Sequence, residues 1–517
     1  MLKFHILIFG CQMNYADSAR IKAILINCWF SYTEDIKKAD IVIFDTCSVR
    51  QKSEDKITWK LKEIWKHQKV WITGCMIQHN LRNSKLKIKN WTKWTPSSAG
   101  ENLKTWNFLW TLKSINPQII WLSTQEINNN SKLNIQNSTF IPVNNAFNPI
   151  FHNLTQKRKN IELFRRIDDT WFLPLILKKF WYEISYDKEI LNEYEKILPI
   201  IWNHQNKSSG IIPINTSMNA HTRTAYIPIS TWCNQFCSYC IVPYARGLEK
   251  NFPVKQIVDE AKVHLKNWTK EIVLIWQIVN KHPDFVKIIK EILKLPWLKW
   301  LRYTSPYPTF YSPQLLQLHE KESKLCPHIH IPLQSWSDNI LKKMFRWYDS
   351  KQCYQFIDKI RKLKKQISIT TDIIVWFPWE TEKDFKQTLK LIEYWNFDMI
   401  YIGIYSPRPW TLADRKYPND IPYKTKHSRR SRLNNLLIKI SKKNNLQEIW
   451  TIKTVLINEI SKDWIFWYDE SLKQIIIHNK FQNIRIWDFV KVKITDWIPF
   501  KLKGEMLKRQ NDEAIKW

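Results

Sequence analysis

The sequence predicts an α/β protein with three parts: an N-terminal open parallel α/β sheet, a central partial (β/α)6 barrel and a small C-terminal antiparallel β-barrel. Apolar strand patterns alternate with helical patterns in residues 1–84 and again in 221–446, as they do in parallel sheets. Short alternating strands fill residues 447–510. Residues 85–220 are rich in Asn, Lys and Ser and predict an insertion or linker with the end of the first domain, which could extend to about residue 200.

Three strand patterns of the first domain end in a cysteine. The segments HILIFGC, IVIFDTC and VWITGC place Cys11, Cys47 and Cys75 at the ends of predicted strands. Because the carboxyl ends of parallel strands meet at one edge of a sheet, we expect these thiols to converge. The alternative for each cysteine taken alone is an inert core thiol.

The central segment contains six strand patterns that run into polar loops, with helical patterns between them. These strand patterns are AYIPIS, EIVLIWQIVN, LKWLRYTSPYP, HIHIPLQSWS, SITTDIIVWFPWE and MIYIGIYSPRP. Barrel enzymes carry their active sites at the face where such loops gather. We therefore expect chemistry in the loops that follow these strands.

The loop after the first of these strands holds Cys233, Cys237 and Cys240 at the spacing C-x3-C-x2-C. Zinc sites and electron-transfer iron-sulfur clusters normally take four protein ligands, and no fourth cysteine is near. Three thiolates on a 4Fe-4S cube leave one iron open to a small molecule. The spacing therefore predicts such a cluster, the alternative being a group of unrelated structural or zinc-bound thiols.

Charge and cysteine content indicate the kind of partner and the compartment. The formal net charge of +33 favours a polyanion such as RNA, although an AT-rich genome would also inflate Lys, Asn and Ile. Nine unevenly spaced cysteines are unlike a secreted disulfide framework and favour the cytoplasm. The chain opens with a strand pattern rather than a signal peptide and has no apolar run of about 18 residues, so no membrane association is expected.

Basic residues concentrate in two places near the end of the chain. The run KTKHSRRSR, from Lys424 to Arg432, opens an amphipathic helix that predicts either RNA contact or a solvated face. The strands that follow predict a barrel that binds oligonucleotides or a plain capping domain. Its basic edge residues favour RNA: Lys453, Lys480, Arg485, Lys491 and Lys493.

Glycine is rare in this chain and tryptophan is abundant. Seven glycines and 29 tryptophans occur in 517 residues, and the two types together reach about 7%, an ordinary content for glycine alone. Many tryptophans stand where turns call for glycine, as in VWFPWET and LQSWSD. We hypothesise that most of them are UGA codons that the source lineage reads as glycine. The alternative is a protein truly rich in tryptophan.

The segments GCQMNYADS, DTCSVR, TGCMIQ, CNQFCSYCIVPYARG, IPLQSWSD, VWFPWET and YSPRPWT together resemble one family. It is the family of radical S-adenosylmethionine (SAM) methylthiotransferases, and within it the MiaB-type tRNA 2-methylthioadenosine synthases. The resemblance covers most of residues 1–84 and 220–510. Glycines of the family fall on Trp232, Trp276, Trp336, Trp347, Trp376, Trp379 and Trp410 here, which supports the recoding hypothesis.

The resemblance implies two 4Fe-4S clusters and SAM as cofactors. Cys233, Cys237 and Cys240 would hold the cluster that binds and cleaves SAM, and Cys11, Cys47 and Cys75 an auxiliary cluster. Further SAM contacts are expected from Gln277, Asn280, Arg246 and the backbone at Trp376 and Trp379, although loop solvation or an ion pair would also explain the first three. Cys28, Cys326 and Cys353 are expected to be structural thiols, and His328 and His330 to be packed or to line a substrate site.

The implied reaction adds a methylthio group to C2 of N6-isopentenyladenosine at tRNA nucleotide 37. The resemblance also implies a TRAM-like C-terminal barrel on the tRNA anticodon loop, an electron-donor protein such as flavodoxin or ferredoxin, an unidentified sulfur donor and a monomeric enzyme. Alternative substrates are threonylcarbamoyladenosine in tRNA and an aspartate of a ribosomal protein. An alternative of another class is a catalytically dead iron-sulfur protein that binds RNA.

Overall fold

The computed structural model describes about two thirds of the chain, in two compact units. The described residues are 1–47, 56–57, 59–65, 67–76, the backbone of 161–164, 224–231, 233–243, 249–408, 411–417, 421–460, 464–478 and 488–507. One unit comprises residues 1–216 with 241–248, and the other 217–240 with 249–517. The boundaries expected at 84, 220 and 446 stay predictions.

The first unit contains one parallel sheet with helix α1. Its elements are β1 (Lys3–Phe9), α1 (Gln12–Asn27), β2 (Ser31–Tyr32), β3 (Ile41–Thr46), β4 (Lys69–Gly74) and β5 (Ile161–Phe164). The strand order is β2-β1-β3-β4-β5. Alternating apolar residues of β1, β3 and β4 feed two separate cores. The predicted open parallel sheet is confirmed, and β5 adds a strand from the segment in which the sequence pattern is weak.

The second unit contains the six expected parallel strands and their helices. In chain order the elements are β6 (Thr224–Pro228), β7 (Ser230–Thr231), β8 (Lys250–Asn251), α2 (Val254–Lys266), β9 (Glu271–Ile275), α3 (Phe285–Leu293), β10 (Trp300–Tyr303), α4 (Pro313–Lys321), β11 (His328–His330), α5 (Asp338–Lys343), α6 (Ser350–Arg361), β12 (Ser368–Val375), α7 (Glu382–Trp395), β13 (Met399–Ile404), α8 (Leu412–Lys416) and α9 (Tyr423–Leu446). Strands β6, β9 and β10 form one parallel sheet, and β11, β12 and β13 form another. A bridge between Leu301 and Leu325 joins them, so the predicted partial (β/α)6 barrel is confirmed.

A closed five-stranded barrel ends the described chain. It is built from β14 (Ile452–Ile460), β15 (Trp464–Asp469), β16 (Gln474–His478), β17 (Phe489–Ile498) and β18 (Lys501–Met506). The strand order is β14-β15-β16-β18-β17, and all pairs are antiparallel except β16 with β18. Its inward-facing Val, Ile and Leu side chains form a core of their own. The predicted small C-terminal barrel is therefore confirmed.

Arg302 fastens this small barrel to the first sheet of the (β/α)6 barrel. Its Nε donates to Glu271 Oε1 at 2.6 Å, and its two terminal nitrogens donate to the carbonyl oxygens of Glu470 (2.6 Å) and Asp469 (2.9 Å). Both charged side chains are almost completely buried. A guanidinium offers five donors in a fixed fork, which suits one carboxylate and two carbonyls at once. Trp300 and Phe489 pack beside this contact.

The basic helix α9 uses part of its charge inside the protein. Arg429 is buried, and its Nη1 donates to the carbonyl oxygen (2.9 Å) and to Oε2 (3.0 Å) of Glu380. Arg432 Nη1 donates to Glu382 Oε1 at 2.6 Å. These two arginines of the KTKHSRRSR run therefore brace α9 against the start of α7. RNA contact by the exposed residues of the run stays a prediction.

Tryptophan dominates the positions with a left-handed backbone. Of thirteen described non-glycine residues with positive φ, six are tryptophan: Trp29, Trp268, Trp297, Trp376, Trp379 and Trp450. A bulky L-residue is strained in this region, whereas glycine enters it freely. The indole N–H of Trp376 is also buried without an acceptor among the described residues. Both observations support the hypothesis that these codons specify glycine in the native protein.

Within the described residues, no helix combines the length and apolar character that a bilayer span requires.

Replacing Arg302 by methionine is expected to destabilise the second unit by about 3–5 kcal/mol, because it leaves Glu271 charged and buried without its partner. The matched control is Arg432→Met, whose partner Glu382 is about half exposed and which should cost less than about 1 kcal/mol. Urea unfolding of the two variants measures the difference, and equal losses would contradict the role given to Arg302.

Peptide mass spectrometry of the protein from its native host is expected to find glycine at positions 376 and 379 and tryptophan at position 300. Trp300 lies in a strand, and its ring packs edge-to-face on Phe489 with centroids 4.7 Å apart. In protein made with the standard code, Trp379→Gly should stabilise the fold by about 1–2 kcal/mol by relieving the left-handed strain, because its ring is partly exposed. Trp300→Gly should instead destabilise it by about 3–5 kcal/mol. Indole at both 376 and 379 in the native protein would defeat the recoding hypothesis.

Candidate active site

The loop from Cys233 to Cys240 follows strand β7 and is held in place by Ser238, the residue that follows its middle cysteine. Ser238 is buried, its Oγ donates to the carbonyl oxygen of Lys343 at 2.7 Å, and its N–H donates to that of Met344 at 3.0 Å. The N–H of Cys240 bonds the carbonyl oxygen of Cys237 at 2.9 Å and closes a turn between the two thiols. The loop is therefore held at the end of α5, and its cysteines lie beyond the carboxyl end of β6.

The thiols of this loop form no disulfide, and their surroundings suit ligation. Burial, the main cause, raises the pKa of Cys233 to about 11; the nearby Cys237 and Glu249 act in the same direction, and Lys281 opposes them. A cysteine of this kind keeps its proton unless a metal displaces it. Lys281 Nζ contacts Glu249 Oε2 at 3.0 Å, and that carboxylate also accepts from the N–H of Asn234 at 3.2 Å.

Arg346 contacts the middle thiol of the loop. Its Nη1 lies 3.5 Å from Cys237 Sγ, its Nη2 donates to the carbonyl oxygen of Pro332 at 2.8 Å, and its Nε donates to Tyr348 Oη at 2.9 Å. The guanidinium also lies 4.6 Å from the ring centroid of Tyr307. Arg346 is thus a rigidly held cation in contact with the sulfur of Cys237. The sequence pattern gave no sign of it, because the contact joins positions far apart in the chain.

The donor set fits a cluster better than a single ion. Among the described residues, no three His, Cys, Asp or Glu side chains converge closely enough to hold one metal ion. Thiolates that bind different irons of a cube stand farther apart than the ligands of one ion. Three thiols on one pinned loop, with a guanidinium beside the middle one, are donors that such a cluster would take.

The second set of cysteines lies at one edge of the N-terminal sheet. Strands β1, β3 and β4 are neighbours, and Phe9 is in register with Thr46, which in turn pairs with Gly74. Cys47 and Cys75 directly follow the last residues of β3 and β4, and Cys11 begins α1 just beyond β1. Adjacent strands are about 4.8 Å apart, so the paired strands bring these cysteines to the same edge of the sheet, as predicted.

A buried network of hydrogen bonds holds the backbone at this edge of the sheet. The Asn14 side chain accepts from the Cys11 N–H at 3.1 Å and donates to Asp45 Oδ1 at 2.8 Å. Ser18 Oγ donates to the other Asp45 oxygen at 2.8 Å. A Cβ on Gly74, which has φ of 99°, would lie 2.2 Å from the Thr46 carbonyl oxygen. Asn14, Asp45 and Ser18 were missed from sequence, although GCQMNYADS and IVIFDTC contain all three.

The other predicted SAM contacts are placed as follows. Asn280 is buried, and its amide bonds both the N–H (2.7 Å) and the carbonyl oxygen (2.8 Å) of Tyr307, so it fixes the loop after β10. Gln277 is half-buried just past β9. Arg246 lies outside the described residues, as do Trp232 and Trp410. SAM binding by any of these residues stays a prediction.

The backbone at Trp376 and Trp379 follows β12. Both residues have positive φ, and the N–H of Trp376 donates to Glu380 Oε2 at 2.8 Å. Trp376 is completely buried, whereas Trp379 is partly exposed and packs on Tyr417. With glycine at these positions, the turn after β12 would leave open space beside the backbone.

Comparisons with known proteins agree with this geometry. Residues 227–392 match the family model described as the Radical SAM superfamily, and residues 3–93 match that described as uncharacterized protein family UPF0004. The tRNA-2-methylthio-N(6)-dimethylallyladenosine synthase of Dictyoglomus thermophilum is 29% identical, with 98% of this chain and 99% of that protein covered. The synthase of the same name from Clostridium botulinum is 30% identical, with coverages of 97% and 96%. A solved structure of the radical SAM methyltransferase TsrM from Kitasatospora setae aligns with a TM-score of 0.46 at 9% identity over 80% of this chain and 75% of that chain, too distant to support an argument.

The barrel, its three-cysteine loop and the superfamily match define a radical SAM enzyme. Within that class, the chain belongs to the family of tRNA-2-methylthio-N(6)-dimethylallyladenosine synthases, which are radical SAM methylthiotransferases. This membership confirms the predicted SAM and two 4Fe-4S clusters as cofactors. Which residues hold each cluster is taken up as a proposal below.

Replacing Arg346 by methionine is expected to lower the reduction potential of the cluster in the barrel loop. A hydrogen bond to a ligating sulfur stabilises the more negative, reduced cluster, and its loss should shift the potential by about 60 mV or more, a tenfold change for a one-electron couple. The measurement is an EPR-monitored redox titration of protein that also carries Cys11→Ala, Cys47→Ala and Cys75→Ala.

The matched control for that titration is Arg361→Met. Arg361 Nη1 donates to the carbonyl oxygen of Ile367 at 2.9 Å, and its Nη2 donates to that of Trp395 at 3.1 Å, with no described contact to a cysteine. Its replacement should leave the potential unchanged. Equal shifts in the two variants would show that the contact of Arg346 with Cys237 does not set the potential.

Proposed function

We propose that this protein attaches a methylthio group to C2 of N6-isopentenyladenosine at nucleotide 37 of tRNA. The observation that supports it most is the presence of two separate cysteine trios, one on a barrel loop and one at a sheet edge, in a chain of this family. One trio alone would suit SAM cleavage. A methylthio transfer also needs a source of sulfur, which a second cluster can provide.

Cys233, Cys237 and Cys240 hold the SAM-binding cluster in this proposal, and Cys11, Cys47 and Cys75 hold the auxiliary one. When bound, these groups supply a 5′-deoxyadenosyl radical from SAM and the sulfur that is transferred. The chain itself contributes position and charge. Ser238 fixes the barrel loop, Arg346 donates a hydrogen bond to the sulfur of Cys237, and the loops beyond the strands would exclude water from the reacting base.

RNA binding is assigned to basic side chains that remain exposed. Lys424 and Arg430 on α9 and Lys491 and Lys493 on β17 face solvent. Lys453, expected at a basic edge, is instead held by Glu448 at 2.6 Å, which makes it a structural cation. Lys480 and Arg485 lie outside the described residues. The target adenine must leave its stack to reach the barrel, which favours a single-stranded anticodon loop.

The remaining parts of the proposal rest on the chemistry of the class. Reduction of the barrel cluster calls for a one-electron donor such as flavodoxin or ferredoxin, and oxygen-sensitive iron with nine reduced thiols suits the cytoplasm. We propose that the enzyme acts as a monomer and that the C-terminal barrel is TRAM-like. The names of the relatives favour isopentenyladenosine over threonylcarbamoyladenosine or a ribosomal protein.

Cysteine variants are expected to separate the two steps. In anaerobically reconstituted protein with an anticodon stem-loop, Cys233→Ala should abolish both SAM cleavage and methylthioadenosine formation, because the open iron needs all three ligands. Cys11→Ala should abolish methylthioadenosine formation while SAM cleavage persists. Cleavage is followed as 5′-deoxyadenosine, and the RNA product is followed by nucleoside mass spectrometry.

Cys353→Ala is the matched control, since Cys353 is a buried thiol on α6 and should leave both reactions intact. Methylthioadenosine formed by Cys233→Ala or by Cys11→Ala would contradict the ligand assignment. RNA binding without SAM cleavage in the wild-type protein would favour the catalytically dead homologue.

A further inference from the structure

A row of polar side chains lines the inner face of the sheet formed by β11, β12 and β13. His328 and His330 on β11, Thr370 and Asp372 on β12, and Tyr401 on β13 share one face, because they alternate along paired strands. His330 is opposite Thr370, and Asp372 is opposite Tyr401. The mechanism proposed above assigns no task to any of them.

This face points into the barrel rather than towards its helices. On the first sheet, Leu301 and Tyr303 pack with α2 and α3, so Arg302 between them faces inward. On the second sheet, the alternate side chains Ile329, Ile369 and Ile373 are apolar and almost completely buried, as expected for the face that the helices cover, which leaves His328 on the inner face. His330, Asp372 and Tyr401 follow His328 along that side, towards the carboxyl ends of the strands.

Hydrogen bonds fix the orientation of the Asp372 carboxylate in this row. His330 Nε2 lies 3.1 Å from Asp372 Oδ2, and His330 Nδ1 lies 2.9 Å from Thr370 Oγ1. Thr370 Oγ1 is also 2.9 Å from His328 Nε2. The imidazole is held from both sides, so it presents its Nε2–H to Asp372 and leaves the other carboxylate oxygen unpartnered among the described residues.

The exposed fraction of these side chains increases along the row, from His328 towards the open end of the (β/α)6 barrel. His328 is 7% exposed, the side chains of His330 and Asp372 are 16% and 32% exposed, and Tyr401 is 45% exposed. An oriented acceptor therefore stands beside an accessible aromatic ring inside a barrel. A carboxylate that accepts an exocyclic N–H and a ring that stacks on a base are the two contacts that recognise an unstacked purine.

We propose that Asp372 and Tyr401 form the recognition site for the target adenine, with Asp372 accepting the N6–H and Tyr401 stacking on the purine. His330 is a positioning residue that orients the carboxylate. This inference rests on the proposed function, since it takes the RNA adenine as the ligand. SAM also carries an adenine with N6–H donors, so the same chemistry could serve the cofactor, and the test must separate the two sources.

The test compares two anticodon stem-loops in the wild-type protein and in Asp372→Leu. One carries N6-isopentenyladenosine, which has a single N6–H, and the other carries an N6,N6-disubstituted adenosine, which has none. The wild type should prefer the first by about 10- to 100-fold in kcat/KM, the value of a hydrogen bond to a charged acceptor. Asp372→Leu should lose this preference, whereas Asp372→Asn, which retains an acceptor oxygen, should keep part of it.

Three further variants sharpen the comparison. Tyr401→Leu should weaken stem-loop binding about 10-fold, whereas Tyr401→Phe should leave it unchanged, because stacking needs only the ring. His330→Gln should reduce the N6 preference less than Asp372→Leu does. The matched control is Asp358→Leu on α6, where the carboxylate pairs with Lys362 at 2.7 Å, and its preference should equal that of the wild type.

The outcomes separate the inference from the function on which it rests. SAM cleavage in the absence of RNA should be unchanged in Asp372→Leu, which also shows that the variant folds and holds its cluster. A raised KM for SAM would assign the pair to the cofactor and overturn the inference, as would an intact N6 preference in Asp372→Leu. If the wild-type protein makes no methylthioadenosine, the proposed function fails, and the binding affinities of the two stem-loops still decide whether Asp372 reads the N6–H.

Discussion

Parallel strands bring residues that are distant in sequence to one edge of a sheet, and both candidate cluster sites of this protein depend on that constraint. In the N-terminal sheet, Cys47 and Cys75 follow strands that are paired residue by residue. No short motif marks these positions, because the spacing between the cysteines is set by whole strand–helix units. In the (β/α)6 barrel the same rule gathers the cysteine loop, the turn after β12 and the loop after β10 at one end.

The opposite end of the (β/α)6 barrel is closed by the C-terminal barrel. Arg302 contributes to this seal in two ways: it neutralises Glu271 inside the first sheet, and it binds two carbonyl groups at the end of β15. Burying a charge pair costs free energy that only good geometry recovers. In return, the C-terminal barrel is held at a constant distance from the inner face of the (β/α)6 barrel.

Strand and helix order could be read from the sequence because both periodicities are strong in the first 80 residues and from 224 onward. The two cysteine trios were also accessible, one from its local spacing and the other from strand ends. The sequence did not predict which other side chains would contact the functional residues. Arg346 reaches Cys237 across 109 positions, and Asp372 meets His330 across 42. Such pairings follow from the register of strands and the length of loops, which one sequence does not determine. The partner of Arg429 in the basic run on α9 shows the same limit, because Arg429 meets Glu380 only after folding.

Because glycine is so scarce, the shape of the site depends on whether the source organism reads UGA as glycine or as tryptophan. An indole at Trp376 would need a left-handed backbone, a buried N–H without a described acceptor and a large volume beside the turn after β12. The left-handed backbone and the buried N–H cost free energy, and glycine removes both costs. It also opens space next to the strand that carries Asp372. The same substitution at Trp300 would remove an inward ring that packs on Phe489 beside Arg302. Backbone conformation and packing therefore separate Trp376 and Trp379, whose backbone favours glycine, from Trp300, whose ring packs on Phe489.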